Sequence, residues 1–287
     1  MLAPLGKLAQ ERRARLQGLG AFNVIHLENA ESIVSAAEQT GQPVILQISQ
    51  NAVKFHGGKL KPIAVATLAI ARSSTARVGV HLDHADDLNL IREAIDLGFT
   101  SIMYDGSHLP DEENRAVTAQ VAHWCHDAGI TIEAELGEVG GKDGVHAPGV
   151  RTDPDDAAKF VADTGVDLLA VAVGSSHAMT SRDAALDLDL ISRIAATVPI
   201  PLVLHGSSGV SDENMVLAIE HGMTKINVST HLNHVFTSTV RAVLAEKPEL
   251  VDTRKWTKPA ATAMEQEVAR LLNLYMGVAG QKERNAS

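Results

Sequence analysis

Histidine and acidic residues recur at the ends of short apolar segments, in an arrangement that could bind a divalent metal. Three histidines stand in three separate segments: His84 in VGVHLDH, His177 in LLAVAVGSSH and His205 in PLVLH. Neutral imidazoles are preferred nitrogen ligands of zinc, and three protein ligands with one open position are typical of a catalytic site. Asp83 and Glu135 lie at the ends of similar segments. Taken together, these residues indicate a metal centre.

Taken one at a time, the histidines carry much less information. The chain has 13 of them, so some will fall at strand ends by chance. A hydrogen-bonded structural role is the better interpretation of any single one, and we keep it for His81. The metal hypothesis depends on the convergence of the set.

Two small-residue motifs indicate an anion site. HGSSG, which begins at His205, follows one apolar segment, and NVST, which begins at Asn227, closes the last one. Small residues let backbone N–H groups approach an anion at a helix N-terminus, and barrels of parallel strands often hold phosphate in the loops after their last two strands. A plain tight turn would explain HGSSG nearly as well.

The stretch GEVGGKDGVHAPGV, which begins at Gly137, is long, polar and rich in glycine. Its composition is typical of a mobile lid over an active site. Glu138 and Asp143 are the acidic residues within it that could remove a proton. A solvated loop without catalytic function explains Glu138 equally well.

Predicted strands and helices alternate along the chain and would position these residues. Short segments that are apolar on both faces indicate parallel strands covered by helices. The predicted strands are Ala21–Val24, Val44–Ile48, Val78–Leu82, Ser101–Tyr104, Thr131–Leu136, Leu168–Val173, Leu202–Leu204 and Lys225–Val228. The predicted helices include Glu28–Thr40, Pro62–Ser73, Asp86–Leu97, Asp111–Ala128, Pro154–Thr164 and Ser211–His221, and Trp256–Ala279 reads as one or two more.

Eight strand–helix units predict an α/β fold, a (β/α)8 TIM barrel with extra terminal helices, formed by residues 1–287 as a single domain. An open doubly wound sheet is the alternative. Such a sheet usually has a glycine-rich nucleotide turn after its first strand, whereas here VIHLEN follows. In a TIM barrel the active site lies in the loops after the strands, which is where the polar residues above fall.

Bulk composition narrows the possible partners. The formal net charge of -10 argues against nucleic acid, and an acidic protein that handles an anionic substrate needs a local positive centre. No apolar run approaches the length of a membrane span, and the N-terminus lacks the apolar core of a signal peptide. The lone cysteine, Cys125, suits a reducing compartment. We expect a cytoplasmic protein with no membrane partner.

The motifs resemble those of the class II fructose-bisphosphate and tagatose-bisphosphate aldolases over nearly the whole chain. The resemblance runs from LGAFNV through PVILQIS, HLDHA, DGSHLP, EAELGEVGG, TGVDLLAVAVGSSH, PLVLHGSSGV and KINVST to DTRKWTKPA. HLDH followed by the late HG-S-G and N-x-x-T motifs is a specific combination.

The resemblance implies a role for each matching position. It implies Zn²⁺ bound by His84, His177 and His205 with Glu135 beside it, and Asp83 as the acid that protonates the acceptor carbonyl oxygen. It implies a monovalent cation, Na⁺ or K⁺, near the phosphate of the substrate, and assembly into a homodimer or homotetramer. Residues implied to hold the phosphorylated sugar are Asn23, Ser49, Gly206, Ser207, Ser208, Asn227, Ser229, Thr230 and Arg254.

The sequence departs from the family pattern at the lid and at the distal end of the substrate. GGKDG stands where the family commonly has GGxEDG, so Asp143 or Glu138 is the candidate base that removes the donor proton. Asn233 occupies a position where the family commonly has a basic residue associated with the distal phosphate, and Ser229 replaces an acid. Ala178 follows the predicted ligand His177, where glycine is usual.

We therefore expect reversible aldol cleavage of a ketose phosphate, with fructose 1,6-bisphosphate as the leading substrate, to dihydroxyacetone phosphate and an aldehyde. Zinc would stabilise the charge of the enediolate. Alternatives are tagatose bisphosphate or a ketose 1-phosphate as substrate, a metal-dependent sugar-phosphate epimerase or isomerase, and a barrel that only senses a sugar phosphate.

Overall fold

The computed structural model describes residues 1–136, 151–176, 182 and 184–277 of the chain. Within these ranges, parallel strands pair in chain order and the last pairs with the first, which closes a barrel. The strands are β1 (Leu19–Asn23), β2 (Val44–Ser49), β3 (Val78–Ala85), β4 (Ser101–Tyr104), β5 (Thr131–Leu136), β6 (Leu168–Val171), β7 (Leu202–Leu204) and β8 (Met223–Val228). The TIM-barrel prediction is confirmed.

Helices follow the strands and cover the outside of the barrel. They are α1 (Leu5–Arg13), α2 (Leu27–Thr40), α3 (Gln50–Phe55), α4 (Leu60–Ser73), α5 (Leu88–Leu97), α6 (Asp111–Asp127), α7 (Pro154–Thr164), α8 (Leu188–Thr197), α9 (Asp212–Glu220), α10 (Thr230–Glu246) and α11 (Arg254–Leu274). The six helices predicted individually correspond to α2, α4, α5, α6, α7 and α9. The described C-terminal stretch is one helix, α11.

Local sequence signals explain where several helices begin and end. The side chains of Asp87 and Asp153 each accept two backbone N–H groups of the helix that follows. Such caps satisfy donors that have no partner within the helix. Gly98 and Gly165 end α5 and α7 in the left-handed conformation, which glycine adopts without steric cost. These helix ends determine where the short loops begin that lead back to the next strand of the barrel.

The N-terminal end of the barrel is closed by α1, a helix that was not predicted from the sequence. Leu5 and Leu8 are fully buried. They pack with Leu19, Ile45 and other strand residues in the interior of the barrel. A second and larger core lies between the strands and the outer helices. Because α1 fills the N-terminal end, a substrate must approach from the carboxyl ends of the strands. Among the described residues, no helix is both long and apolar enough to cross a membrane.

Candidate active site

A cavity of about 480 Å³ lies at the carboxyl ends of β1, β2, β3, β7 and β8. Ten of its lining residues were predicted as site residues from the sequence. These ten are Asn23, Ser49, Asp83, His84, Gly206, Ser207, Ser208, Asn227, Ser229 and Thr230. The remaining lining residues are Ile25, Asn51, Ala52 and Phe55. The cavity is where a TIM barrel places its active site.

The end of β3 is irregular, and this irregularity places two neighbouring side chains in the cavity. The pairing of β3 with β4 shifts register between Leu82 and Ala85. In a regular strand, consecutive side chains point to opposite faces, whereas a bulge can redirect one of them. Asp83 and His84 both line the cavity, and His84 has a φ of 46°. A positive φ is uncommon outside glycine and often marks a functional residue.

Asp105 orients the His84 ring. Its carboxylate lies 2.7 Å from Nδ1 of His84. A carboxylate that binds one ring nitrogen fixes which nitrogen carries the proton and directs the other towards a metal. We did not predict Asp105 as a site residue. The available signal was a carboxylate directly after the predicted strand SIMY, at the start of DGSHLP.

His205 is fully buried at the end of β7, between two carboxylates. Its Nε2 lies 3.1 Å from Glu133, and its Nδ1 lies 3.2 Å from Glu135. Burial alone would lower the pKa of His205, but hydrogen bonds to Glu133 and Glu135 outweigh burial and raise it to about 9. The His205 ring stacks edge-on against that of His84, with centroids 4.6 Å apart.

Candidate ligand atoms of Asp83, His84 and His205 all lie within 4.8 Å of one another. This nitrogen and oxygen donor set suits zinc. Burial would raise the pKa of Asp83, but the charges of His84 and Lys225 outweigh it and the pKa is lowered. Asp83 is therefore a carboxylate at neutral pH. Distance alone allows it to act either as a ligand or as a proton carrier.

A buried ion pair lies beneath this cluster. Nζ of Lys225 is 2.8 Å from Glu133, and both side chains are essentially inaccessible to solvent. Burial would raise the pKa of Glu133, but Lys225 and the hydrogen bond to His205 hold it well below its usual range. His81 hydrogen bonds Ser101 in the core, and burial lowers its pKa to about 3, consistent with a structural role. We did not predict functions for Glu133 or Lys225.

Three predicted site residues, His177, Glu138 and Asp143, lie outside the described residues, as does Ala178. The segment before His177 is nevertheless fixed against the site. The Ser175 hydroxyl donates to the carbonyl of His205 at 2.6 Å. A Cβ added to Gly206 would lie 2.5 Å from the carbonyl carbon and oxygen of Ser176. The β6 and β7 loops are thus in direct contact.

The predicted anion motifs adjoin each other across β7 and β8. Ser207–Gly209 form a 3₁₀ turn, and Ser207 donates to the carbonyl of Asn227. The backbone N–H of His231, in the first turn of α10, donates to the Ser208 hydroxyl at 3.1 Å. A turn beside a helix N-terminus offers backbone N–H groups to an anion. This end of the cavity is suited to a phosphate.

Two asparagines and Ser49 complete the polar wall. Asn23 accepts a hydrogen bond from Gln47 at 3.0 Å, and Ser49 caps α3 by accepting from the N–H of Ala52. The amide nitrogen of Asn227 lies 3.5 Å from Asp83. Among the described residues, no donor reaches the buried Oδ1 of Asn227. That oxygen can accept a hydrogen bond from a substrate hydroxyl.

Arg254 is the one described site residue that the fold does not bring to the site. Its side chain is 87% exposed, forms an ion pair with Asp252 and does not line the cavity. Its assignment to the substrate therefore stays a prediction. Asn233, in the first turn of α10, is also exposed.

Comparisons with known proteins agree with this geometry. A family model described as "Fructose-bisphosphate aldolase class-II" matches residues 4–281. The chain belongs to the class II fructose-bisphosphate aldolase family. It is 38% identical over 270 residues to a fructose-bisphosphate aldolase of Geobacillus stearothermophilus, covering 93% of this chain and 94% of that protein. A fructose-bisphosphate aldolase of Giardia intestinalis is also 38% identical, over 290 residues, covering 92% and 89% of the two chains.

Among solved structures, the YdjI aldolase of Escherichia coli K12 superposes with a TM-score of 0.81. It is 29% identical, and the match covers 96% of this chain and 97% of that one. The class II aldolase assignment makes this chain an enzyme, a lyase of the carbon–carbon bond. It favours that function over the epimerase and sensor alternatives. The family is metal-dependent, and the donor set at the barrel mouth fits a metal.

Gly206→Ala tests the contact between the β6 and β7 loops. In alanine the left-handed backbone lowers the free energy of unfolding by about 1–2 kcal/mol. Displacement of the Ser176 backbone by the new Cβ lowers it by about 1–3 kcal/mol more. Gly41→Ala is the matched control, because Gly41 also has a φ of 66° but has no atom within 4 Å of the added Cβ. Urea unfolding should show a larger loss of unfolding free energy for Gly206→Ala. Equal losses of unfolding free energy in the two variants would show that the Ser176 backbone moves aside without cost.

Metal binding to the metal-free aldolase should release a proton from His205. Because its pKa is raised to about 9, the ring is protonated at pH 7, and a metal on Nδ1 must displace that proton. Calorimetric zinc titrations at pH 7, in buffers of different ionisation enthalpy, should show about one proton released per ion, and the apparent affinity should rise roughly tenfold per unit from pH 6.5 to 8. A pH-independent affinity would contradict this protonation state.

Proposed function

We propose that the protein catalyses the zinc-dependent, reversible aldol cleavage of a ketose phosphate to dihydroxyacetone phosphate and an aldehyde, with fructose 1,6-bisphosphate as the leading substrate. The observation that carries the proposal is the convergence of Asp83, His84 and His205 at one barrel mouth, beside a turn whose geometry suits an anion. The names of the curated relatives support the same substrate.

The residues that would hold zinc are His84 and His205, with His177 as the predicted third ligand and Glu135 beside them. Asp105 engages Nδ1 of His84 and Glu133 engages Nε2 of His205, so the opposite nitrogens, Nε2 and Nδ1, would face the metal. When bound, zinc would supply Lewis acidity that stabilises negative charge developing on the substrate oxygens.

Asp83 would move the proton of the C4 hydroxyl. Because its pKa is lowered, Asp83 is a carboxylate that can accept this proton when the C3–C4 bond breaks. In the condensation direction the same group returns the proton to the aldehyde oxygen. The hydrogen-bonding distance from Asn227 supports a fixed orientation of the carboxylate.

The phosphate would sit at the turn Ser207–Gly209 and the start of α10, near Ser229 and Thr230. Backbone N–H groups there suit an anion in an otherwise acidic chain. A monovalent cation, Na⁺ or K⁺, near this phosphate remains a prediction, as does the role of Glu138 or Asp143 as the donor base. A homodimer or homotetramer is likewise proposed from the family resemblance, and a cytoplasmic location from the composition.

The lining of the cavity favours a second candidate, a ketose 1-phosphate whose aldehyde half is uncharged. Ile25, Ala52 and Phe55 are apolar residues of the cavity wall, and no lysine or arginine from the described part of the chain lines the cavity. A charged hydrogen bond to a distal phosphate is worth about 1.5–3 kcal/mol. A site without such a bond would gain little from that phosphate.

Coupled assays of dihydroxyacetone phosphate formation test both candidates. We expect cleavage of fructose 1,6-bisphosphate that falls by roughly a hundredfold or more after chelation and returns with zinc. A preference over fructose 1-phosphate of about tenfold or more supports the bisphosphate, and a ratio near one or below supports the second candidate. Tagatose bisphosphate tests the C4 configuration. Undiminished cleavage by metal-free protein would contradict zinc dependence, and zinc-loaded protein inactive on every ketose phosphate would contradict the proposed reaction.

Asp83→Asn separates proton transfer from metal binding. The amide keeps the size of the side chain but cannot accept the C4 proton, so kcat should fall by roughly 10²–10⁴ while the zinc content stays at the wild-type level. Asp86→Asn, a change at an exposed carboxylate outside the cavity, is the control and should leave kcat within about twofold. Loss of zinc from Asp83→Asn would instead identify Asp83 as a ligand.

A further inference from the structure

A charged network fills the barrel interior directly beneath the candidate metal site. Lys225 on β8 and Glu133 on β5 are joined by a 2.8 Å ion pair, and both side chains are almost completely buried. The other Glu133 oxygen lies 3.1 Å from Nε2 of His205 on β7. The network therefore connects β5 and β8 to the His205 ring on β7, which lies at the candidate metal site.

Burying such an ion pair usually contributes little to the stability of a protein. Removing a lysine ammonium and a carboxylate from water costs more than most ion pairs return, and apolar replacements of similar volume are often as stable. The same barrel contains a large apolar core that fills space without charge. Stability alone therefore gives no reason to place Lys225 and Glu133 here.

The contact between Glu133 and His205 gives such a reason. The Glu133 carboxylate accepts the hydrogen bond at Nε2 of His205. Nδ1 lies 3.2 Å from Glu135, the carboxylate predicted beside the metal, so Nδ1 is the nitrogen that a metal on that side would take. Lys225 lies 2.8 Å from the second oxygen of the same Glu133 carboxylate and holds it in position against His205. His81 also borders Glu133, at 3.8 Å, but its pKa of about 3 makes it neutral.

We propose that Lys225 and Glu133 are positioning residues that hold the His205 ring in the tautomer and orientation required for metal binding. The inference rests on the proposed metal-dependent function. Neither residue lines the substrate cavity, so both act through His205. Lys225 anchors the Glu133 carboxylate through the 2.8 Å ion pair, and Glu133 holds Nε2 of His205 at 3.1 Å. The ring thereby directs Nδ1 towards Glu135, the carboxylate predicted beside the metal.

A cycle of variants tests the proposal: Glu133→Gln, Lys225→Met and the double variant Glu133→Gln/Lys225→Met. Each single change leaves one buried charge without its partner and should lower the thermal unfolding temperature. The double variant removes both charges with little change of shape, so it should recover most of the lost stability. It still lacks a carboxylate at Nε2, so its zinc dissociation constant should stay about 10–100-fold above that of the wild type.

Zinc affinity is measured on metal-stripped protein by competition with a chromophoric chelator, which requires no enzymatic activity. Lys159→Met is the matched control, because Lys159 forms an exposed ion pair with Asp163 and should leave zinc affinity unchanged. A double variant that regains both stability and wild-type zinc affinity would overturn the proposal, because the pair would then be purely structural.

A second measurement on the wild type keeps the proposal testable if the double variant does not fold. Long-range ¹H–¹⁵N spectra of ¹⁵N-histidine-labelled, zinc-loaded protein should show His205 protonated at Nε2 and metal-bound through Nδ1. Binding through Nε2 would overturn the proposal while leaving the proposed function intact. Wild-type protein that binds no zinc at all would overturn both.

Discussion

The interruption of pairing between β3 and β4 is the constraint on which the candidate site depends. A regular strand would point Asp83 and His84 to opposite faces of the barrel wall, and only one of them could reach the cavity. The register shift between Leu82 and Ala85, with the left-handed backbone of His84, brings both to the same side. A proton carrier and a metal ligand can thus be adjacent in sequence and still act on one substrate.

Carboxylates orient the two histidines of the candidate metal site. Asp105 holds His84, and Glu133 holds His205 with Lys225 behind it. Nδ1 of His84 and Nε2 of His205 are each held by a carboxylate, which is how proteins usually orient metal-binding histidines, and Nδ1 of His205 faces Glu135. In a chain with a formal net charge of -10, the metal held by these histidines would supply the local positive centre that an anionic substrate needs.

The sequence alone predicted the barrel, its strand positions and most of the cavity wall, because parallel strands end at one face and polar residues at those ends must meet there. It could not predict the pairing of His84 with Asp105, which depends on a register shift that no local pattern encodes. A lysine in a strand suggests solvent exposure, so the burial of Lys225 against Glu133 was also hidden. Arg254 matched a motif, but the fold of one chain leaves it in solvent.

The central claim is that His84 and His205 bind one zinc ion at the barrel mouth. X-ray diffraction from crystals of the zinc-loaded protein, collected on both sides of the zinc absorption edge, tests it most directly. The account predicts one anomalous peak at the cavity, about 2.0–2.1 Å from Nε2 of His84 and from Nδ1 of His205. A fully active, zinc-loaded protein whose only anomalous peak lies away from these two rings would contradict it.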